Sequence, residues 1–332
     1  MKVDFMQEIY FIINPSAGNG RCLIIWKKIE QTLIQENIHY LAFFTEYGGH
    51  ATKIASQIAA INDHPKLVIV VGGDGTLHEV LNGITNHKNI KIGLIPGGSG
   101  NDFSREFQIP QDPLDALKVL LRLRKERPAF IDIGKIMFQD DTEHYFINNM
   151  GAGFDAYVAY KVNHSKVKSI LNKLGFGRLV YVYFLLKELF LYKTNTIDLM
   201  IDGTKSTFKQ TWFVTISNQP YYGGGMKIAP NAEPDDGLLD ITVVYQLSRI
   251  KLLLVFMTVF LGKHIHFKEV KTFRGKTITI QSRSTMFVHG DGEFIGYTPL
   301  HVDIQCKGIQ ILTRRQPKEE ADWKARDTYD IH

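Results

Sequence analysis

Cysteine is nearly missing from this 332-residue chain: Cys22 and Cys306 are the only two. Two thiols without metal-ligand spacing exclude a disulfide framework and a thiolate zinc centre. Long apolar runs are missing as well. Residues 179–192, LVYVYFLLKELFLY, are broken by Lys187 and Glu188, and residues 252–262, LLLVFMTVFLG, are short. Neither reaches the roughly 18–20 residues that span a bilayer, so both read as buried or amphipathic helices. Charge of one sign is scarce: 39 Lys and Arg face 34 Asp and Glu, a net +5. No basic run alternates with aromatics, which argues against a nucleic-acid partner. The small excess suits phosphate or an anionic membrane surface. The opening MKVDFMQE lacks the charged-then-apolar order of a signal peptide, so the expected home is cytoplasmic. Repeats and low-complexity segments are absent, and residues 314–332 read as a polar tail.

What is present is enough apolar material, 44% of residues, to build two cores. Residues 1–135 alternate apolar runs at 9–13, 40–45, 66–71, 91–96 and 129–134 with helical patterns at 22–36, 50–61, from Thr76, and 112–126. Alternation of that kind predicts an open α/β domain with a mainly parallel sheet. From 136 to 313 the rhythm changes to HYFINNM, TIDLMID, QTWFVTIS, LLDITVVY, KTITIQS, TMFVHG and LHVDIQ, separated by turn residues. These predict an antiparallel β-sandwich, with a helical insertion at 159–192. A ligand belongs in the cleft between the halves.

Three glycine-rich turns fall at the carboxyl ends of predicted parallel strands, where open α/β sheets bind ligands. They are NPSAGNG (14–20), GGDGT (72–76) and PGGSGND (96–102), and Thr45 ends a strand on the same edge. The P-loop GK[ST] and the dinucleotide fingerprint GxGxxG are both absent. The expected mode is therefore several backbone turns around a nucleotide, with Asp74 and Asp102 sharing phosphate charge with Mg²⁺. Read alone, Asp74 is either a metal-holding carboxylate or a helix cap. GDGE at 290–293 is either a catalytic acid or an ordinary hairpin turn with solvated acids.

In order and spacing, NPSAGNG, GGDGTLHEVLNG and PGGSGNDFSRE resemble the diacylglycerol kinase catalytic family, which includes bacterial lipid kinases and sphingosine kinases. FINNMGAGFDA, APNAEPDDGLLD and HGDGEF continue the resemblance, which covers residues 9 to about 313. It implies an ATP- and Mg²⁺-dependent lipid kinase, with ATP on the first half and the lipid on the second. Nucleotide candidates are then Asn14, Pro15, Ser16, Ala17, Gly18, Thr45, Gly73, Asp74, Gly75, Thr76, Leu77, His78, Glu79, Ser99, Gly100 and Asn101. His78 stands where the family commonly has Asn, and Gly100 where bacterial members often carry Thr. The resemblance makes Glu293 the general base, Asp291 a supporting acid, and Asp74 part of the catalytic metal network. It also implies a structural Mg²⁺ at Asp236, with the carbonyls of Glu233 and Leu238 and a linking Asp132. Lys161, Lys166, Lys168, Lys173 and Arg178, next to an apolar stretch, are expected to face an anionic membrane, giving peripheral contact with its inner face. Tyr221, Tyr222 and GGGMKIAP are expected to shape the lipid entrance, and a sandwich edge to permit a homodimer. The competing expectations are an NAD kinase, which shares the GGDG loop, and a nucleotide-dependent lipid-binding protein without catalysis.

Overall fold

The structure, a computed structural model, describes residues 8–85, 87–163 and 177–315. The polar tail from 316 onward, with Lys166, Lys168 and Lys173, lies outside the described residues.

In the first half, β1 (Glu8–Ile13), β2 (Leu41–Phe44), β3 (Lys66–Gly72) and β4 (Ile90–Pro96) pair in parallel in the order β2-β1-β3-β4. Alternation along each strand sends successive side chains to opposite faces. Tyr10, Ile12, Val68 and Val70 pack under α2 (His50–Ala60) and α3 (Asp74–Ile84), while Phe11, Ile13, Ile69 and Val71 pack under α1 (Arg21–Gln35) and α5 (Pro113–Leu123). Both faces are buried, which is why these strands read as unbroken apolar runs. α3 opens at Asp74, two residues before the expected Thr76, and the short α4 (Asp102–Glu106) follows the third glycine turn.

The second half is built of antiparallel pairs: β7 (Asn149–Gly153) and β12 (Leu239–Tyr245) on β9 (Thr204–Ser217), β8 (Asn195–Ile201) between β9 and β14 (Thr277–Ser282), and β15 (Phe287–Gly290) on β16 (Glu293–Tyr297). A core of Ile136, Phe146, Ile197, Val214, Ile241, Ile278 and Val302 fills it. The helical insertion begins earlier than expected, with α6 at Phe154–Asn163 and α7 at Gly177–Leu191, and α8 (Arg249–Val259) packs with them on the outside of the sandwich.

The two halves share strands. β5 (Ala129–Phe138) and β17 (Leu300–Ile311) run antiparallel, with a register shift between Gln305 and Ile309. Beyond the shift, β17 turns into the first half and pairs in parallel with β4, Gln310 against Lys91 and Ile311 against Ile92. The expected boundary at 135 therefore falls inside β5, and the chain's last described strand completes the α/β sheet. Residues 144–150, expected as one strand, divide into β6 (Glu143–Phe146) and β7. The break arises because the amides of Ile147, Asn148 and Asn149 turn onto the Asp291 carboxylate instead of a neighbouring strand.

Candidate active site

The three glycine turns touch one another, backbone to backbone. A Cβ on Gly98 would lie 2.5 Å from the Cα of Gly73, and one on Gly18 would lie 2.3 Å from the Gly97 carbonyl oxygen. Gly18 also has φ +59, which favours glycine. The turns thus form one rim, with the N-terminus of α3 at its centre, a place where amides and helix dipole favour an anion. Asn14 Nδ2 donates to Thr76 Oγ1 at 3.0 Å, tying the first turn to that helix. Thr45 joins the rim through its amide, which donates to the Ile13 carbonyl. Ser99 is exposed beside Gly100, and Asn101, with φ +52, donates to the Gly98 carbonyl.

Three of the expected nucleotide residues point elsewhere. Leu77 is core, packed with Val80 and Leu81. Glu79 accepts the Ala51 amide at 3.0 Å, at the start of α2. His78 Nδ1 meets Asp291 Oδ2 at 2.9 Å, so it links α3 to the β15–β16 hairpin of the other half. Helical geometry decides this, since only the first turn of α3 can present amides to a ligand.

Asp74 is a helix cap, though not of its own helix. Its oxygens accept the amides of Asp102 (3.0 Å) and Phe103 (3.1 Å), so it caps α4 across the rim. Burial first, then the charge of Asp102, pushes its carboxyl up to about 6 against the pull of those amides. Burial raises Asp102 too, although it accepts the Gly224 amide at 2.7 Å and pairs with Arg105. Arg105 already brings a cation to Asp102, so the carboxylate whose raised proton affinity suits an oxygen-seeking divalent cation such as Mg²⁺ is that of Asp74. Gly100 lies against both: a Cβ there would stand 3.0 Å from Asp74 Oδ2. Glycine at this position leaves the carboxylate its room.

The hairpin β15–β16 supplies the other side. Asp291 (φ +50) and Gly292 (φ +88) form a two-residue turn of the primed type. The ordinary-hairpin reading is thus correct in backbone, but its first acid is not solvated. The Asp291 side chain is fully buried and accepts three amides at 2.8–3.1 Å in addition to meeting His78. Glu293, the next acid, is exposed and stands over the first turn of α3, its Oε1 3.1 Å from where a Cβ on Gly75 would sit.

The expectations missed His289 and Asp155. His289 Nδ1 accepts the Gly292 amide at 3.2 Å, which leaves Nε2 protonated to donate to Asp155 Oδ2 at 3.3 Å. Its ring stacks on Tyr222 at 5.7 Å. Asp155 lines a narrow apolar cavity with Phe154, Val158, Phe213, Leu253 and Phe256, and its buried Oδ1 has no hydrogen-bond partner among the described residues. The DA after GAGF was the available signal, a carboxylate in an otherwise apolar helix start. Of the two expected tyrosines Tyr222 lines this cavity, while the Tyr221 ring lies under Arg105, and the adjoining Gly224 ties the region to the rim through Asp102.

The acidic turn at 233–240 is self-contained. Asp236 accepts the Leu238 amide at 3.0 Å and pairs with Arg274, whose Nε lies 3.4 Å from Asp240. Asp132 accepts the amides of Gly237 (2.8 Å) and Lys307 (2.7 Å), and its own amide donates to Pro234. Among the described residues no three His, Cys, Asp or Glu side chains converge as metal ligands. As arranged, these residues do not fit the structural metal, because Arg274 already brings a cation to Asp236.

The chain is similar to known proteins over both of its halves. The diacylglycerol kinase catalytic domain matches residues 8–136, and the YegS C-terminal NAD kinase beta sandwich-like domain matches 148–313. A diacylglycerol kinase of Mycobacterium tuberculosis is 33% identical over 311 residues, covering 93% of this chain and 96% of that protein. One from Staphylococcus carnosus is 28% identical over 311 residues, covering 92% and 95%. The crystal structure of a diacylglycerol kinase from Bacillus anthracis superposes with a TM-score of 0.71 at 26% identity, covering 93% and 97%. The chain belongs to the diacylglycerol kinase catalytic family and is a lipid kinase.

Proposed function

We propose that the protein transfers the γ-phosphate of ATP to the hydroxyl of diacylglycerol or a closely related lipid alcohol, with Mg²⁺ as the metal. The observation that carries this reading is the position of Glu293: an exposed carboxylate from the sandwich, set over the phosphate-binding first turn of α3. The rim of glycine turns holds the triphosphate through backbone amides. Asp74 would hold Mg²⁺, which would supply positive charge to the nucleotide phosphates, with Arg105 and Asp102 beside it as a fixed pair. Glu293 takes the proton of the lipid hydroxyl as that oxygen bonds to the γ-phosphorus, and the bond to the β–γ bridging oxygen breaks to release ADP. His78 and Asp291 hold the hairpin at the height this requires. The apolar cavity at Asp155 supports a lipid acceptor, with one carboxylate oxygen available to a polar group near the head of the chain.

Glu293→Gln keeps shape but cannot take the proton. Turnover is expected to fall by about 10²-fold or more, the usual worth of a general base, with ATP affinity unchanged within about twofold. Steady-state kinetics beside ATP titration calorimetry measure both. Turnover at the wild-type rate in this variant would remove Glu293 from the role of base.

A further inference from the structure

α8 is apolar on two opposite faces. Leu252, Val255 and Val259 are buried in the sandwich cluster. Ile250 (72% exposed), Leu254 (65%), Met257 (66%) and, in the turn beyond, Leu261 (69%) form a second stripe at i, i+4, i+7 and i+11, within an arc of about 60°. A helix apolar all round is normally enclosed, and among the described residues nothing covers the outer side of this one. At its start, the Arg249 guanidinium holds the carbonyls of Leu189 and Tyr192, so the exposed Phe190 and Leu191 of α7 adjoin the stripe.

From this we infer that the outer face of α8, with the end of α7, is the surface by which the protein docks on an anionic lipid bilayer. The charges around it choose the partner. Lys187, Lys193, Arg249, Lys263 and Lys268 are exposed, while the two acids of these stretches, Glu188 and Glu269, are buried, the latter paired with Lys251. An apolar stripe ringed by cations matches acyl chains beneath anionic headgroups. A second copy would set cation against cation. The same helix continues inward: Leu252, Leu253, Phe256 and Val259 line the cavity that reaches Asp155 and Tyr222. One helix thus has a bilayer-facing side and a side on the apolar cavity. That the cavity receives the docked lipid rests on the lipid-acceptor reading above; the docking itself does not.

The test uses the full chain and vesicles of phosphatidylglycerol mixed with phosphatidylcholine, read by flotation. Wild type is expected to float with the anionic vesicles, and the double variant Leu254→Glu/Met257→Glu to lose about tenfold or more in partitioning. Both positions are exposed and outside the cavity, so its turnover on a water-soluble short-chain diacylglycerol stays within about twofold of wild type. In Leu254→Trp, brominated acyl chains are expected to quench the new indole. Floating of the double variant as well as wild type, failure of wild type to float, or no quenching each overturns the proposal. So does a wild-type dimer that dissociates in the double variant while vesicle binding is unchanged, which would make the face a contact between copies. Loss of floating in the double variant, with no lipid phosphorylated by either protein, would uphold the docking surface and remove the lipid-acceptor reading.

Discussion

Glu293 and Gly75 meet at a distance that leaves no spare room. An alanine methyl at 75 would come within 3.1 Å of the carboxylate oxygen, closer than unstrained contacts allow, so Glu293 must shift by a few tenths of an ångström. Gly75→Ala is accordingly expected to lower kcat about tenfold or more while KM for ATP changes little, since displacement of a positioned base costs rate. Unchanged kcat would show that the base tolerates the shift. His78 makes a different prediction. Burial opposes its protonation, but the hydrogen bond and charge of Asp291, with Glu293 and Glu79 beyond, outweigh burial and raise it overall. A histidine raised in the folded state contributes stability that is full below its unfolded value of about 6.5 and is lost as pH rises through the folded value. Denaturant unfolding between pH 6 and 9 should show that loss, with a slope of up to about 1.4 kcal/mol per pH unit. His78→Gln should flatten it. An equal slope in the variant would assign the dependence to other groups.

Among the elements, the β15–β16 hairpin depends on one buried carboxylate for three amides and an imidazole. Asp291→Asn leaves a single side-chain oxygen for that work and no charge for His78. Urea unfolding is expected to show a loss of about 3 kcal/mol, typical of breaking a buried charged pair; a loss below about 1 kcal/mol would mean the turn holds itself. The acidic turn is held by Arg274 across β12 and β13 (Val270–Gly275). Burial raises both Asp236 and Asp240, the latter to about 6, with Arg274 opposing. Arg274→Ala should lower Tm, and millimolar Mg²⁺ without nucleotide should restore part of the loss by entering the vacated place. An equal Tm rise with Mg²⁺ in wild type would show that metal binds beside the guanidinium. The backbone of these elements was legible because glycine, Asp-Gly and alternation act locally. The partner of each acid was not: Asp291 and Asp74 are separated in sequence from the amides they bind by 142 and 28 residues.

For the whole molecule, periodicity alone separated an α/β half from an antiparallel half, and the three glycine turns fall together on one edge of the parallel sheet as their positions implied. What periodicity could not show is the join. β17 follows the sandwich rhythm through Gln305, yet after its register shift it becomes the neighbour of β4. That pairing depends on a contact 219 residues away, Gln310 with Lys91. The consequence is mechanical: Glu293 and the glycine rim are carried by one continuous 15-stranded sheet, so their relative geometry is fixed by the core. The apolar run at 252–262 shows the same limit. Its composition signals a helix with a buried face, but only the packing reveals that the opposite face is bare.

The central claim is that this site joins a nucleotide phosphate to a lipid hydroxyl. The most direct measurement follows label from [γ-³²P]ATP with Mg²⁺ into diacylglycerol, other lipid alcohols in mixed micelles, and NAD, using the wild-type chain. Labelled lipid is expected, with diacylglycerol or a close relative the strongest acceptor and NAD unlabelled. Label in NAD alone, or in no acceptor although ATP is bound, would contradict it.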